Sequence, residues 1–249
     1  MTDKSGTMLY LNGVSVSFDG FKALNSLSII VHPAEMLAII GPNGAGKTTM
    51  MDIITGKTRP DDGEVYFDGR TDLTKLDEAT IANLGIGRKF QKPTVFESHT
   101  VWDNLVLSLK KPRGVFSALL YSQSAEDRAR IEEILDTVRL ASRRDDLAAD
   151  LSHGQKQWLE VGMLLAQDPK LLLVDEPVAG MTDAETVETA KLLKEIARTR
   201  SVVVVEHDMS FVRELGTRVT CLAEGTVLAE GTLDQVSANP VVIERYLGR

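Results

Sequence analysis

Cysteine is almost absent from this chain of 249 residues: Cys221 stands alone, so no internal disulfide can form. A single thiol suits a reducing compartment. It falls in Val219-Thr220-Cys221-Leu222, where a buried strand cysteine is expected rather than a nucleophile. Long apolar runs are missing too. No stretch approaches the roughly 20 residues of a membrane-spanning helix, and residues 1–8 are polar, without the apolar core of a secretory signal. Positive charge is in deficit: 28 Lys and Arg against 36 Asp and Glu leave a formal charge of −8. That balance argues against a dedicated nucleic-acid surface. No internal repeat or low-complexity linker divides the chain. With 43% apolar residues, it has the makings of one large domain, or of one domain carrying an inserted unit. It is expected in the cytosol, or at a membrane only through partners.

What is present is concentrated. Gly41-Pro42-Asn43-Gly44-Ala45-Gly46-Lys47-Thr48-Thr49 contains the pattern G-x-x-x-x-G-K-[ST] of a phosphate-binding loop. The apolar run Leu37-Ala38-Ile39-Ile40 precedes it as a buried strand, and residues 48–54 follow with helical character. Glycines let successive N–H groups face one anion, and the start of the helix adds its positive end at the same place. In such a loop Lys47 reaches the outer phosphates of a nucleotide and the Thr48 hydroxyl reaches Mg²⁺.

The rest of the chain frames that loop. Residues 8–18, 26–31 and 65–67 read as strands, separated by turns such as Asp61-Asp62-Gly63 and Asp68-Gly69. From about Asp77 the pattern turns helical: Ile131, Ile134, Leu135 and Val138 share one face, as do Trp158, Val161 and Leu165. Strands return at residues 171–174 and 201–205, with a helix between them beginning near Thr182, whose spacing from Glu185 is that of a capping box. A hairpin is expected over residues 219–222 and 226–229, turning at Glu224-Gly225. The tail, residues 233–247, is expected to be helical in pieces, broken by Pro240. Apolar strands alternating with helices mark a parallel sheet covered on both faces. The expected fold is an α/β nucleotide-binding core spanning residues 1–249, with an antiparallel β subdomain and an inserted helical subdomain over residues 92–168.

Two further motifs support the loop. Leu171-Leu172-Leu173-Val174-Asp175-Glu176-Pro177 is an apolar strand ending in two acids. Asp175 is the candidate Mg²⁺ acid, and Glu176, next along, is the candidate carboxylate to activate water. Leu151-Ser152-His153-Gly154-Gln155 reads as a helix start, with Ser152 as N-cap and Gln155 completing a capping box. Such a start is also an anion site.

In this order and separation, the three motifs resemble the ATPase subunit of an ATP-binding-cassette transporter, a P-loop NTPase fold, over nearly the whole chain. The resemblance implies that Phe18 stacks on adenine, its alternative being a core phenylalanine. It implies that Gln91 senses Mg²⁺ and water, and that His207 contacts the γ-phosphate. Ser152, His153, Gly154 and Gln155 would form the signature that closes on ATP held by a second subunit. ATP and Mg²⁺ are then the cofactors. The implied partners are a second ATPase subunit, transmembrane permeases docking near residues 92–97, and indirectly a periplasmic solute-binding protein, with no nucleic acid. The implied location is the cytoplasmic face of the membrane. Soluble repair or ribosomal members of the family are disfavoured by the single glycine loop and the absence of heptads, and a GTPase by the absence of Asn-Lys-x-Asp. Two positions depart from the common pattern: His153 stands where glycine is usual, and Ala179-Gly180-Met181-Thr182 replaces a loop usually built around Ala-Leu-Asp. These departures resemble the importers of branched-chain amino acids and amides. The stretches around Phe90, Leu151 and Val178 look most like the urea importer, with branched-chain amino acids or other amides as the alternative cargo.

Overall fold

The computed structural model describes residues 4–89, 94–110 and 123–248. Two sheets form its frame. The first is antiparallel and four-stranded, in the order β2-β1-β4-β5, with β1 (Leu9–Phe18), β2 (Phe21–Val31), β4 (Asp62–Phe67) and β5 (Thr71–Asp72). The second has six strands in the order β10-β9-β3-β8-β7-β6, built from β3 (Met36–Ile40), β6 (Ile86–Lys89), β7 (Leu171–Asp175), β8 (Ser201–Val205), β9 (Arg218–Ala223) and β10 (Thr226–Gly231). Its strands β9, β3, β8, β7 and β6 run parallel, and β10 returns antiparallel on β9.

Side-chain alternation along the central strands divides the interior. Leu37, Ile39, Leu171, Leu173, Val203 and Val205 face the antiparallel sheet and helix α1 (Lys47–Ile54). Leu172, Val174, Val202 and Val204 face the opposite way. They pack against α3 (Val101–Ser108), α4 (Ala125–Thr137), α5 (His153–Leu165), α6 (Asp183–Ile196) and α7 (Met209–Leu215). Every residue of β3, β7 and β8 is buried, which is why these strands read as uninterrupted apolar runs. Ala38, Ile40 and Cys221 face a third cluster with Leu233 and Val236 of α8 (Leu233–Ser237).

Capping boxes open the helices where the spacing predicts them, with Ser152 and Gln155 at α5 and Thr182 and Glu185 at α6. The β9–β10 hairpin turns at Glu224 and Gly225, both at positive φ (50° and 73°). One expectation is corrected. The helical character expected from Asp77 onward holds for α2 (Glu78–Leu84) and for α3, α4 and α5, but it is interrupted by β6, the edge strand beside β7. The tail is helical in pieces, parting between α8 and the short α9 (Pro240–Val242): Asn239 caps α9 and Pro240 takes its first position, where a missing N–H costs nothing.

Candidate functional site

The C-terminal ends of β3, β7 and β8 lie side by side, and the predicted Lys47, Asp175, Glu176 and His207 gather there. At the end of β3 the chain turns through Gly41 at φ 148°, where a Cβ would collide with the Leu222 carbonyl oxygen. Gly46, at φ 98°, would drive a Cβ to 2.6 Å from Leu24 Cδ2 and 2.7 Å from the Ala23 carbonyl. Glycine is therefore required by close packing on β9 and β2 as well as by the turn. The Gly225 N–H donates to the Ala45 carbonyl at 3.1 Å, fixing the loop to the β9–β10 turn. Gly46 caps α1 without a side chain, so no side chain competes for the first-turn amides. Asn43, Gly44 and Thr48 are exposed, Pro42 and Thr49 half-buried, and Ala45 buried.

Lys47 Nζ folds back over the loop and donates to the carbonyls of Gly41 (2.6 Å) and Pro42 (2.9 Å). Burial lowers its pKa, opposed chiefly by the charges of Glu176 and Asp175. Behind the loop the same burial pushes the Cys221 thiol up to about 11.

At the end of β7, Asp175 is buried and its carboxyl sits above the ordinary range, burial outweighing the nearby Arg88 guanidinium. Arg88 Nη2 lies 3.7 Å from Asp175 Oδ2, while Nη1 holds Asp52 Oδ1 of α1 at 2.5 Å. Glu176 takes φ 45°, a conformation a side chain rarely adopts, and its N–H donates to the Val205 carbonyl at 2.9 Å. Non-glycine residues persist in that region only where their surroundings over-determine them, often at functional sites. His207 Nδ1 faces Glu176 Oε1 at 3.5 Å and Glu206 Oε2 at 3.6 Å. Glu206 is buried and accepts from the N–H groups of His207 (2.8 Å), Asp208 (3.2 Å) and Val178 (3.5 Å). Burial raises its pKa, and these amides act against the rise.

Phe18 ends β1 opposite Phe21 of β2 and is 48% exposed, so it is not a core residue. Ser152, His153, Gly154 and Gln155 open α5 elsewhere. Their side-chain hydrogen bonds run to one another, to Gln157, to Glu185 and to Ala179, and among the described residues none reaches the glycine loop. Gln91 lies outside the described residues. Sequence reasoning missed Arg88, Glu206 and Tyr246. Tyr246 packs on the Cys221 cluster with its hydroxyl facing the Gly41 backbone, and burial raises its pKa. Only the glutamate beside His207 left a signal: an acid closing an apolar strand.

A family model described as ABC transporter matches residues 24–179. The high-affinity branched-chain amino acid transport ATP-binding protein LivG of Escherichia coli K12 is 34% identical, over 98% of this chain and 99% of that one. The BraF protein of the same description from Pseudomonas aeruginosa is 32% identical, with the same shares covered. A nucleotide-free ATP-binding cassette from an ABC transporter superposes with a TM-score of 0.84 at 29% identity, over 98% of this chain and 100% of that one. The dimeric structure of the cassette MJ0796 bound to ADP and Pi superposes with a TM-score of 0.74 at 28% identity, over 91% and 99%.

Proposed function

We propose that this chain, which belongs to the ABC transporter family and is an ATPase, energises the import of branched-chain amino acids or closely related small amides. The observation that carries the cargo is end-to-end similarity to proteins named for branched-chain amino acid transport. The urea expectation finds no counterpart among those relatives, and urea becomes an arm of the test.

The assigned roles follow from the gathered side chains. Lys47, held over the loop by two carbonyls, exchanges them for the β- and γ-phosphates of ATP, and the amides from Gly41 to Thr49 cradle the same charge. Phe18 offers its exposed face to adenine. Asp175, Thr48 and Gln91 are assigned to Mg²⁺. An oxygen donor set suits that ion, and a carboxyl whose ionisation is resisted by burial is one a cation would favour. Among the described residues no group of three or more His, Cys, Asp or Glu gathers as a metal cage, which fits an ion carried mainly by phosphates and water. Bound there, Mg²⁺ neutralises charge on the phosphates. Glu176 accepts a proton from the attacking water, and His207, its backbone pinned by Glu206, donates to the γ-phosphate.

The residues Ser152 to Gln155 are assigned to the ATP of a second cassette, since none of their hydrogen bonds reaches the loop of their own chain among the described residues. Residues 92–168 are assigned to an inserted helical unit that transmits closure to permeases, with Val95 and the exposed Phe96 at the contact. The backbone of Phe96 is clamped by Asn104 through bonds of 2.8 and 3.1 Å, which leaves the ring outward. Among the described residues no helix is long and apolar enough to cross a membrane, so attachment through permeases at the cytoplasmic face is assigned, with a solute-binding protein upstream.

The test is uptake of labelled leucine and labelled urea at low concentration in a strain lacking this gene, complemented by the wild type or by Glu176→Gln. Loss of leucine uptake, restored only by the wild type, is expected. Loss of urea uptake alone would transfer the cargo to urea. Normal uptake of both, with the chain absent from the membrane fraction, would point to a soluble ATPase.

A further inference from the structure

The two stretches that depart from the common family pattern meet. His153 Nε2 lies 3.1 Å from the Ala179 carbonyl oxygen and 3.3 Å from the Gln157 side-chain amide nitrogen; in the tautomer that carries its proton on Nε2, the ring donates to the carbonyl. A Cβ on Gly180 would stand 3.5 Å from Cδ2 and Nε2 of the ring, so the imidazole packs onto a bare Cα. Parallel links flank this contact. Ser152 Oγ donates to Glu185 Oε1 at 2.9 Å, while Glu185 Oε2 accepts from the Thr182 N–H and hydroxyl, each at 3.0 Å. One carboxylate thus grips the first residues of α5 and of α6. Farther along α5, Trp158 Nε1 donates to Thr189 Oγ1 at 2.9 Å, and Met181 Sδ lies 3.2 Å from that hydroxyl.

The Ala179 loop is tied in turn to the acidic end of β7. Its N–H donates to the Glu176 carbonyl at 3.4 Å, and the neighbouring Val178 N–H donates to Glu206 Oε1 at 3.5 Å. A continuous path of hydrogen bonds therefore runs from His153 through Ala179 and Val178 to Glu176 and to Glu206, which pins His207.

We propose that His153 is a positioning residue: a latch that makes the start of α5 and the loop around Ala179–Met181 move as one body. Where two subunits sandwich ATP, a premise taken from the proposed function above, Ser152 to Gln155 would close on the nucleotide of the second subunit. The latch would carry that movement to Glu176 and His207 of its own subunit, so that the two ATP sites report to each other through this contact.

The test compares His153→Gly and His153→Gln with the wild-type full chain by hydrogen exchange, read on peptides covering residues 178–182 with β3 and β8 as internal controls for folding. Losing one net hydrogen bond is expected to speed exchange there about fivefold in His153→Gly. His153→Gln, whose amide N–H reaches the same carbonyl, is expected to exchange as the wild type does. In the assembled transporter, turnover is expected to fall several-fold in His153→Gly and to recover in His153→Gln. Wild-type exchange over residues 178–182 in His153→Gly overturns the latch, and so does a glutamine variant that exchanges as fast as the glycine variant. Because exchange is read on the chain without nucleotide, an error in the ATP-sandwich premise would leave that readout standing.

Discussion

Replacing Lys47 by methionine separates the lysine's part in binding from its part in folding. Methionine keeps the apolar stem and deletes the ammonium that reaches the Gly41 and Pro42 carbonyls at 2.6 and 2.9 Å. Without nucleotide, two opposing changes follow. The carbonyl bonds to the charged ammonium are lost, at about 1.5–3 kcal/mol each, and the ammonium desolvation that lowers the lysine's pKa, on the order of several kcal/mol, ceases to cost. Their near-cancellation leaves the unfolding midpoint within a few degrees of the wild type. MgATP at a hundred times the wild-type Kd should stabilise the wild type by about 2.7 kcal/mol. That is a shift of about 5–10 °C for a chain of this size. Hydrogen bonds to a charged group are worth about 1.5–3 kcal/mol, so affinity falls about 10- to 100-fold in the variant. The same MgATP then stabilises by about 0.4–1.4 kcal/mol, a shift of about 1–5 °C. Differential scanning fluorimetry across an ATP series reads both quantities. An undiminished ATP shift in Lys47→Met would refute the assignment of the loop. A midpoint that collapses without nucleotide would make the lysine a structural strut.

Three further outcomes are expected. Glu176→Gln should bind ATP yet turn over about 10²- to 10⁴-fold more slowly, the span of a lost general base, and single-turnover hydrolysis at the wild-type rate would remove Glu176 from the chemistry. Phe18→Ala should raise the KM for ATP more than it lowers kcat while leaving thermal stability within about 0.5 kcal/mol, as befits a ring 48% exposed; a marked loss of stability would count against stacking as its role. Glu206 gives a pH prediction. Burial raises its pKa above 4.5, so from about pH 4.5 upward, to the raised value, the folded chain binds more protons than the unfolded one and loses stability as pH rises. Glu206→Gln lacks that loss and should gain on the wild type through the same window in urea titrations; the opposite slope would mean that the three amide bonds outweigh burial.

The glycine loop, the acidic strand end and the start of α5 were legible because each is a local pattern: turn glycines, an apolar run into two acids, a capping box. The central strands were legible because both their faces are covered. Strand β6 was not. Its Arg88 and Lys89 are charged, and nothing nearby in sequence says that they are buried. Their partners, Asp52 and Asp175 for the first and Glu160 for the second, lie far along the chain and arrive only on folding. Phe18 stood at the end of a strand where alternation cannot decide between core and surface, and only its burial does. Pro240 was legible as the break in the tail, while its place as the first residue of α9 rests on Asn239 before it. Tyr246 left no signal at all, since its reach to Gly41 is purely tertiary.

Those tertiary partners also explain why the two candidate acids stay where they are. A strand ending in Asp175-Glu176 would ordinarily splay two carboxylates into water. Here Arg88 draws Asp175 inward, and the Glu176 N–H is captured by Val205 of β8 at φ 45°. Consecutive side chains therefore leave the strand in different environments, one buried and resisting ionisation, the other half-buried and facing His207. Two adjacent acids with different surroundings can take different duties. The motif names the acids. The neighbouring strand and an arginine from the sheet edge give them different surroundings.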